Sequence, residues 1–490
     1  MASKSKKQSV NTEKSTEIVE LLDKPTIVSE LKHAPIMLEL PQISSSIFSH
    51  ESNVLFSTNI DYPRGEYGFH HFIHANKNKM EILKQFEGKK KVYLVMNNFE
   101  RYIDNYDDSI GNVSKKFFGL SDKPDILSRG FYKLWEILLM FNLIDIKNGD
   151  FVSAHLAEGP GSFIQATMFY RDMYCAKGIS KNDKYYAVTL HSEDTGGANH
   201  VPELETKFVD YYKKEKPQRF MLHKTYTKEQ SGGAKDKDNG DLINPKTIKL
   251  FGGQMTEKAD LVTGDGGFEW INENVQEQEA YTLIIAQIVA ASKVQKKGGN
   301  FVCKFFETFT KTSIKIVAML AQLYDKIYFV KPLMSRSSNS EKYAVCLGFK
   351  YDDKHKDFKN VSKKLDDILK TIHDNKNKQN KIVDIFSDYV LPKNFVNSLI
   401  ELNRLVSNQQ LKSINEIVRF VKREIYSGDE YHERREKQIE GSVYWINLFF
   451  TKSLSENKEQ YKNIVSNVLL KVAKEIKELE GNLVNVESQN

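Results

Sequence analysis

Residues 151–163 read Phe-Val-Ser-Ala-His-Leu-Ala-Glu-Gly-Pro-Gly-Ser-Phe, an apolar strand running into a glycine turn, and residues 164–171 continue in a helical pattern. A strand, tight turn and helix in that order open a nucleotide-binding α/β domain, so this segment constrains the fold more than any other. Gly159 and Gly161 let the backbone approach a ligand with no Cβ in the way, and the N-terminus of the following helix offers unpaired N–H groups. The turn is not a G-x-G-x-x-G, and no Gly-Lys-Ser/Thr follows it to make a phosphate-binding P-loop. Taken alone, it also fits an ordinary strand-to-helix turn.

Four further segments give it company. Residues 259–270 (ADLVTGDGGFEW) form a short apolar strand that ends in Asp265 and two glycines, where α/β sheets present functional side chains. Residues 296–307 (KKGGNFVCKFFE) run from a glycine turn into a strand whose apolar alternation is broken by Lys304. A lysine inside an apolar strand costs several kcal/mol unless paired or deprotonated, which calls for a carboxylate partner or a catalytic role. Residues 331–349 lead through a loop rich in hydroxyls and amides to Glu341 at the start of another strand. Ahead of them, residues 128–140 (SRGFYKLWEILLM) have apolar positions at helical spacing around Lys133, which by itself reads as a snorkelling lysine on an amphipathic helix.

Together and in this order, these segments resemble the FtsJ-like ribose methyltransferases, and most closely the cap-specific mRNA 2'-O-methyltransferases that convert cap 0 to cap 1. The family's Lys, Asp, Lys, Glu tetrad falls on Lys133, Asp265, Lys304 and Glu341. The likeness spans about residues 125 to 350. It implies an α/β, Rossmann-like domain that uses S-adenosylmethionine, with Glu158, Gly159, Pro160, Gly161, Ser162, Phe163, Thr189, Asp241 and Asp265 as cofactor contacts. Arg129, Ser335, Arg336 and Ser337 are the matching candidates for RNA contact. One departure is in the turn: many relatives carry a smaller residue at the Glu158 position and Gly in place of Ser162. Pro160 and Glu158 favour a ligand with a ribose, an adenine and a sulfonium over one with a pyrophosphate.

The resemblance implies transfer of a methyl group to a ribose 2'-OH, which requires alignment of two reactants and removal of a proton from a poor nucleophile. Lys304 is the candidate base, with the neighbouring Lys133 and partial burial favouring its neutral form and with Asp265 and Glu341 orienting it. The scheme requires no metal. Capped mRNA is the implied partner. Two alternatives stay open: a cap-independent ribosomal or transfer RNA ribose methyltransferase of the same fold, and a catalytically idle RNA-binding or assembly subunit.

Other signals are weaker. His70, His71 and His74 put two imidazoles at i and i+4 if helical, a spacing that binds zinc, but with no Cys or acidic residue at convincing spacing they read as surface or core. Cys175, Cys303 and Cys346 are isolated, two of them in apolar strands, and read as buried thiols. Gly232 and Gly233 sit among Lys, Asp and Asn in a loop suited to closing over RNA or simply to disorder.

The 490 residues are 40% hydrophobic, enough for two or three domains with a core. No run approaches the roughly 18 apolar residues of a membrane span, and the polar start of the chain has no apolar signal region, so an unsecreted, cytoplasmic enzyme is expected, or a nuclear one if cellular. A net charge of +6 is compatible with RNA binding without demanding it; local patches at residues 89–91 and 296–297 are more informative. The Lys- and Asn-rich composition suits an AT-rich genome and, with it, a large DNA virus as source.

The expected organisation is a disordered tail at 1–30, an N-terminal extension at 31–120 including a strand at 92–96 and a possible cap or RNA-binding region, the catalytic domain at 121–350, and a helical region at 351–490. The charged stretch 351–378 marks the last boundary. Ser413 and Glu416 form a capping-box pattern ahead of Ile414, Ile417, Val418, Val421 and Ile425, and a second stripe runs Ile464, Val468, Val472, Ile476, Leu479. Such stripes are usually bundle core, though one is able to dock a capping or transcription protein.

Overall fold

The structure, a computed structural model, describes residues 33–59, 61, 67–86, 96–103, 113–121, 123–190, 204–215, 219–222, 240–267, 273–376, 378 and 380–487. The expected tail at 1–30, nearly all of the strand at 92–96, the basic patch at 89–91 and the glycine loop at 232–233 lie outside these residues.

The strands are β1 (Ile36–Glu39), β2 (Val54–Ser57), β3 (Val152–Leu156), β4 (Lys184–Val188), β5 (Phe220–Leu222), β6 (Ala259–Gly264), β7 (Gln295–Phe305), β8 (Tyr324–Lys331), β9 (Lys342–Phe349) and β10 (Lys381–Ile385). The helices are α1 (Tyr67–Asn78), α2 (Glu100–Ile103), α3 (Val113–Phe118), α4 (Gly130–Phe141), α5 (Ser162–Tyr174), α6 (Thr206–Glu215), α7 (Pro245–Gln254), α8 (Gln276–Val294), α9 (Lys311–Leu323), α10 (Phe358–Asn375), α11 (Lys393–Lys422), α12 (Asp429–Phe449) and α13 (Leu454–Glu487). Among the described residues, eight strands make one sheet in the order β1-β8-β9-β7-β6-β3-β4-β5. From β5 to β7 the neighbours are parallel, and β9 runs antiparallel to both β7 and β8.

Parallel neighbours need crossovers, and here α5 and α8 supply them between β3 and β4 and between β6 and β7. From β3 the chain moves to β4 on one side and later to β6 on the other, so connections leave the carboxyl ends of β3 and β6 in opposite directions. α/β sheets bind ligands in the crevice that opens there.

Alternation along the strands feeds two cores. On β7, Phe301, Cys303 and Phe305 join the core under α8, α9 and α10, whereas Val302 joins the one under α4, α5, α12 and α13. Lys304, next on the Val302 side, therefore emerges at the carboxyl end of the sheet beneath α4. The glycine turn expected before this strand is absorbed into it as an irregularity, with Gly298 at φ +79° and the β6 register shifting between Ala259 and Leu261.

Strands from outside residues 121–350 pack with those inside. β1 pairs antiparallel with the sheet's edge strand β8, Ile36 opposite Lys331, and β10 pairs with β2 in a second small sheet. The charged stretch 351–378 holds α10, whose Val361, Leu365, Ile368, Leu369 and Ile372 are buried in the sheet's own core while its charges face outward.

The capping-box reading of Ser413 is also corrected. α11 runs without interruption from Lys393, because Phe395, Leu399, Leu402 and Val406 extend the same buried stripe upstream and outweigh a local cap signal. Ile464, Val468 and Val472 of α13 are buried as core. None of the described helices is long and apolar enough to cross a membrane.

The C-terminal helices close over α4, which is buried all round from Gly130 to Met140. Trp135 Nε1 donates to the Phe449 carbonyl at 2.9 Å, and Trp445 Nε1 donates to Glu136 at 2.9 Å. Phe449, fully buried, packs against Trp445 and stacks on Tyr461. Phe449→Ala is expected to destabilise the fold by about 3–5 kcal/mol in urea unfolding, because a large buried ring leaves a cavity its neighbours cannot fill.

Candidate active site

The turn after β3 is shaped by its own backbone. Ala157 takes φ +52°, an unfavourable conformation for a residue with a Cβ, and Gly161 takes φ +114°. A Cβ at Gly161 would also sit 3.1 Å from Leu127 and 3.3 Å from Leu204 and Phe208. The Gly159–Pro160 peptide is cis. Glu158 Oε1 accepts the Phe163 and Ile164 amides, both at 2.8 Å, satisfying two of the orphan donors that open α5. Its Oε2 is buried and has no hydrogen-bond partner. Burial pushes the Glu158 carboxyl well above its ordinary range against the pull of those amides, and Asp265 adds to the rise. Thr189 Oγ1 accepts the Gly159 amide at 3.2 Å, and Ser162 Oγ lies 2.6 Å from Ser128 Oγ.

These features fit S-adenosylmethionine. The Glu158 carboxyl oxygen that is buried without a hydrogen-bond partner leaves a polar group for a ligand to meet, and the glycine turn leaves room for one. Asp241, the remaining candidate contact, stands ahead of α7, where its Oδ1 accepts the Ile243 amide and its Oδ2 lies 3.7 Å from Lys376 Nζ.

Around the same mouth the four tetrad residues arrive from four elements. Lys133 Nζ, from α4, donates to Glu341 Oε1 at 2.5 Å. Lys304 Nζ, from β7, donates to the Asp265 carbonyl at 2.6 Å and lies 3.2 Å from Asp265 Oδ1. Gly267 leaves space for that amine, since a Cβ there would be 3.1 Å from Lys304 Nζ. Tyr343, opposite Lys304 in the β7–β9 register, donates its hydroxyl to Asp265 Oδ1 at 3.1 Å. Burial would raise the Glu341 carboxyl, but the attraction of Lys133, Lys304 and Arg129 outweighs it and holds the group well below the usual carboxylate range. Glu341 is thus an anion.

The four candidate RNA contacts lie beside this mouth. Arg129 Nη1 and Arg336 both bind Glu100, a fully buried acid of α2, at 2.8 Å and at 2.5–3.0 Å. Ser335 Oγ donates to Glu341 Oε1 at 3.2 Å, and Ser337 Oγ donates to Ser413 Oγ at 2.9 Å.

Several polar residues that organise the site were not singled out from sequence. Lys331 is buried and donates to Ser335 Oγ, to the carbonyl and side chain of Asn339 and to the Glu341 carbonyl; burial lowers it to about 7 although Glu341 opposes the shift. Glu136, buried on α4, is pushed up to about 7 by burial against the donors around it. The signal that betrays Glu136 is an acid inside the apolar run Leu134–Trp135 and Ile137–Leu138; nothing local betrays Glu100.

The histidines of α1 meet an acid that spacing did not reveal. Donor atoms of His70, His74 and Glu307 lie within 4.8 Å of one another. Both Glu307 oxygens are engaged, Oε2 by His74 Nε2 at 3.1 Å and Oε1 by Lys77 Nζ at 2.5 Å. An ammonium on the carboxylate competes with any dication, so the group reads as the anchor of α1 to the loop after β7. Burial would raise Glu307, but Lys77 and His74 hold it at about 2. A carboxyl depressed from 4.5 to about 2 stabilises the fold above the ordinary value, and that contribution fades as pH falls from 4.5 toward 2. It amounts to on the order of 3 kcal/mol. Glu307→Gln is therefore expected to lower stability at neutral pH and to flatten its decline between pH 5 and pH 3, read by thermal unfolding across that range.

The sheet thus carries, at its switch point, a nucleotide-type turn beside Lys133, Asp265, Lys304 and Glu341. Comparison with known proteins agrees: residues 126–349 match the family described as FtsJ-like methyltransferase, and the chain carries an FtsJ-like methyltransferase domain. It is 28% identical over 283 residues to Cap-specific mRNA (nucleoside-2'-O-)-methyltransferase 1A of Caenorhabditis briggsae, covering 56% of this chain and 29% of that protein. It is 27% identical over 283 residues to Inactive cap-specific mRNA (nucleoside-2'-O-)-methyltransferase 1B of the same species, covering 56% and 30%. It is also 28% identical over 318 residues to Uncharacterized protein L511 of Acanthamoeba polyphaga mimivirus, covering 64% and 35%. The matches thus span about a third of these relatives' own length.

Proposed function

We propose that this chain is a cap-specific mRNA 2'-O-methyltransferase, which transfers a methyl group from S-adenosylmethionine to the ribose 2'-OH of the first transcribed nucleotide. The observation that carries the reading is the pairing of Lys133 with Glu341 and of Lys304 with Asp265 at the mouth between β3 and β6. The names of relatives such as the Caenorhabditis briggsae cap methyltransferase support the cap as the RNA feature recognised. The viral relative is in keeping with a viral source and a cytoplasmic site of action.

When bound, S-adenosylmethionine supplies a methyl group on a positive sulfonium. Glu158, Gly159, Pro160, Gly161, Ser162, Phe163, Thr189 and Asp265 would hold it, with Asp241 joining once turned from Lys376. Lys304 is the group assigned to receive the 2'-OH proton. Asp265 fixes the direction of its amine through both carbonyl and carboxylate. Lys133 and Glu341 keep a charged pair beside it, so the hydroxyl meets a fixed field and needs no solvent reorganisation. Arg129, Ser335, Arg336 and Ser337 line the side from which RNA would enter. The C-terminal helices remain a candidate dock for capping or transcription proteins.

The test is transfer of labelled methyl to matched short RNAs bearing a cap 0 end, an unmethylated cap or a triphosphate, with the modified nucleotide mapped. Transfer to the first ribose of capped RNA alone is expected. Cap-independent transfer would favour a structured-RNA enzyme, and none on any RNA would favour an idle subunit, a possibility that the inactive relative keeps open. Lys304→Ala is expected to abolish transfer and to leave S-adenosylmethionine affinity nearly unchanged by calorimetry. Retained activity would remove Lys304 as the base.

A further inference from the structure

The loop joining β8 to β9 ends in Glu341, and one helix grips it at both ends. Lys133 of α4 holds the far end through Glu341 at 2.5 Å. One turn along the same helix face, Glu136 holds the near end: its Oε2 accepts the Leu333 amide at 2.8 Å, and its Oε1 accepts the Met334 amide at 2.8 Å. Glu136 Oε1 also accepts Trp445 Nε1 from α12 at 2.9 Å. A fully buried acid in an apolar helix, met by three N–H donors from two other elements, is expensive to keep where a leucine would pack.

The pairings differ in kind. Lys133 and Glu341 belong to the tetrad, whereas Glu136 touches only protein: two loop amides and an indole. Lys331 completes the frame from beneath, bridging Ser335, Asn339 and the Glu341 carbonyl. With both loop ends tied to α4 at positions three residues apart, the place of Glu341 relative to Lys133 is set by the helix itself.

We infer that Glu136 is a positioning residue for methyl transfer: through its two amide bonds it fixes the entry of the 332–341 loop so that Glu341 arrives against Lys133. The inference rests on the tetrad reading proposed above. Glutamine at this position keeps the shape but replaces one acceptor oxygen with a donor, so one loop amide would face an N–H instead of a carboxylate.

The experiment uses the full chain and three variants, Glu136→Gln, Glu136→Asp and Trp445→Phe. It measures kcat on cap 0 RNA, S-adenosylmethionine affinity by calorimetry, and hydrogen exchange across residues 332–341. For Glu136→Gln we expect kcat to fall by about ten- to a hundredfold with affinity held within about twofold, since small misplacements of a catalytic group cost rate more than binding. Exchange at Leu333 and Met334 is expected to quicken. Trp445→Phe, which leaves both loop amides bonded, is expected to keep the loop protected and kcat within about threefold. Glu136→Asp keeps the charge with a shorter reach and is expected to fall between wild type and Gln; it carries the same test if Gln prevents folding. Unchanged kcat, unchanged exchange, or affinity falling in step with kcat would each overturn the inference. If the wild type methylates no RNA, the proposed function fails while the exchange measurement still decides whether Glu136 holds the loop.

Discussion

The contact between Lys133 and Glu341 joins a helix that precedes the central strands to a strand that closes them. Burying two opposite charges is costly, and their attraction compensates only when the geometry is firm and the remaining donors and acceptors are met. Both conditions hold: Ser335 adds a donor to Glu341, Lys331 binds its carbonyl, and Lys304 and Arg129 lie near enough to keep the carboxyl ionised. The sheet makes this possible, because β6, β7 and β9 deliver Asp265, Lys304 and Glu341 to one end while α4 crosses above them. Shift any of these elements and a buried charge loses its partner.

The same logic recurs away from the tetrad. Glu100 gathers Arg129 and Arg336, Glu307 gathers Lys77 and His74, and Asp183 gathers Arg171 through two bonds at 2.7 and 2.8 Å. Glu100 and Glu307 tie together segments more than 200 residues apart, whereas Asp183 and Arg171, 12 residues apart, hold α5 against the start of β4. Apolar packing holds the layers together without direction, whereas these pairs fix how the loops sit on them.

Much of the candidate site was legible in sequence because strand ends and glycine turns are local events. The turn at 157–163 carries its own strand, caps and helix, and Asp265 and Lys304 are conspicuous as polar residues closing or interrupting apolar strands. What stayed hidden is non-local. Nothing near residues 36–39 says that they will cover β8, and nothing near Lys381 says that it will face Ser57. The Glu307 partner of the α1 histidines lies 233 positions from His74. Ser413 and Glu416 misled in the opposite way: a good local cap signal lost to a longer stripe of buried side chains that only the folded core makes decisive. The charged run at 351–378 looked like a border because composition averages over both faces of a helix, whereas α10 separates them.

The closure of α4 by Trp445, Phe449 and Tyr461 has a consequence for synthesis. A chain emerging from the ribosome exposes the sheet and its carboxyl end long before α12 exists. Until residue 449 is free, the indole-bearing face of α4 has no cover, and the edge of β2 waits for β10 at residues 381–385. Long-range pairings of this kind slow folding and leave apolar surface open to aggregation in the interval. The nascent chain therefore passes through a stage in which Lys133, Asp265, Lys304 and Glu341 are present but α4 is unshielded, so completion of the C-terminal helices, rather than of the sheet, times the closure of the fold.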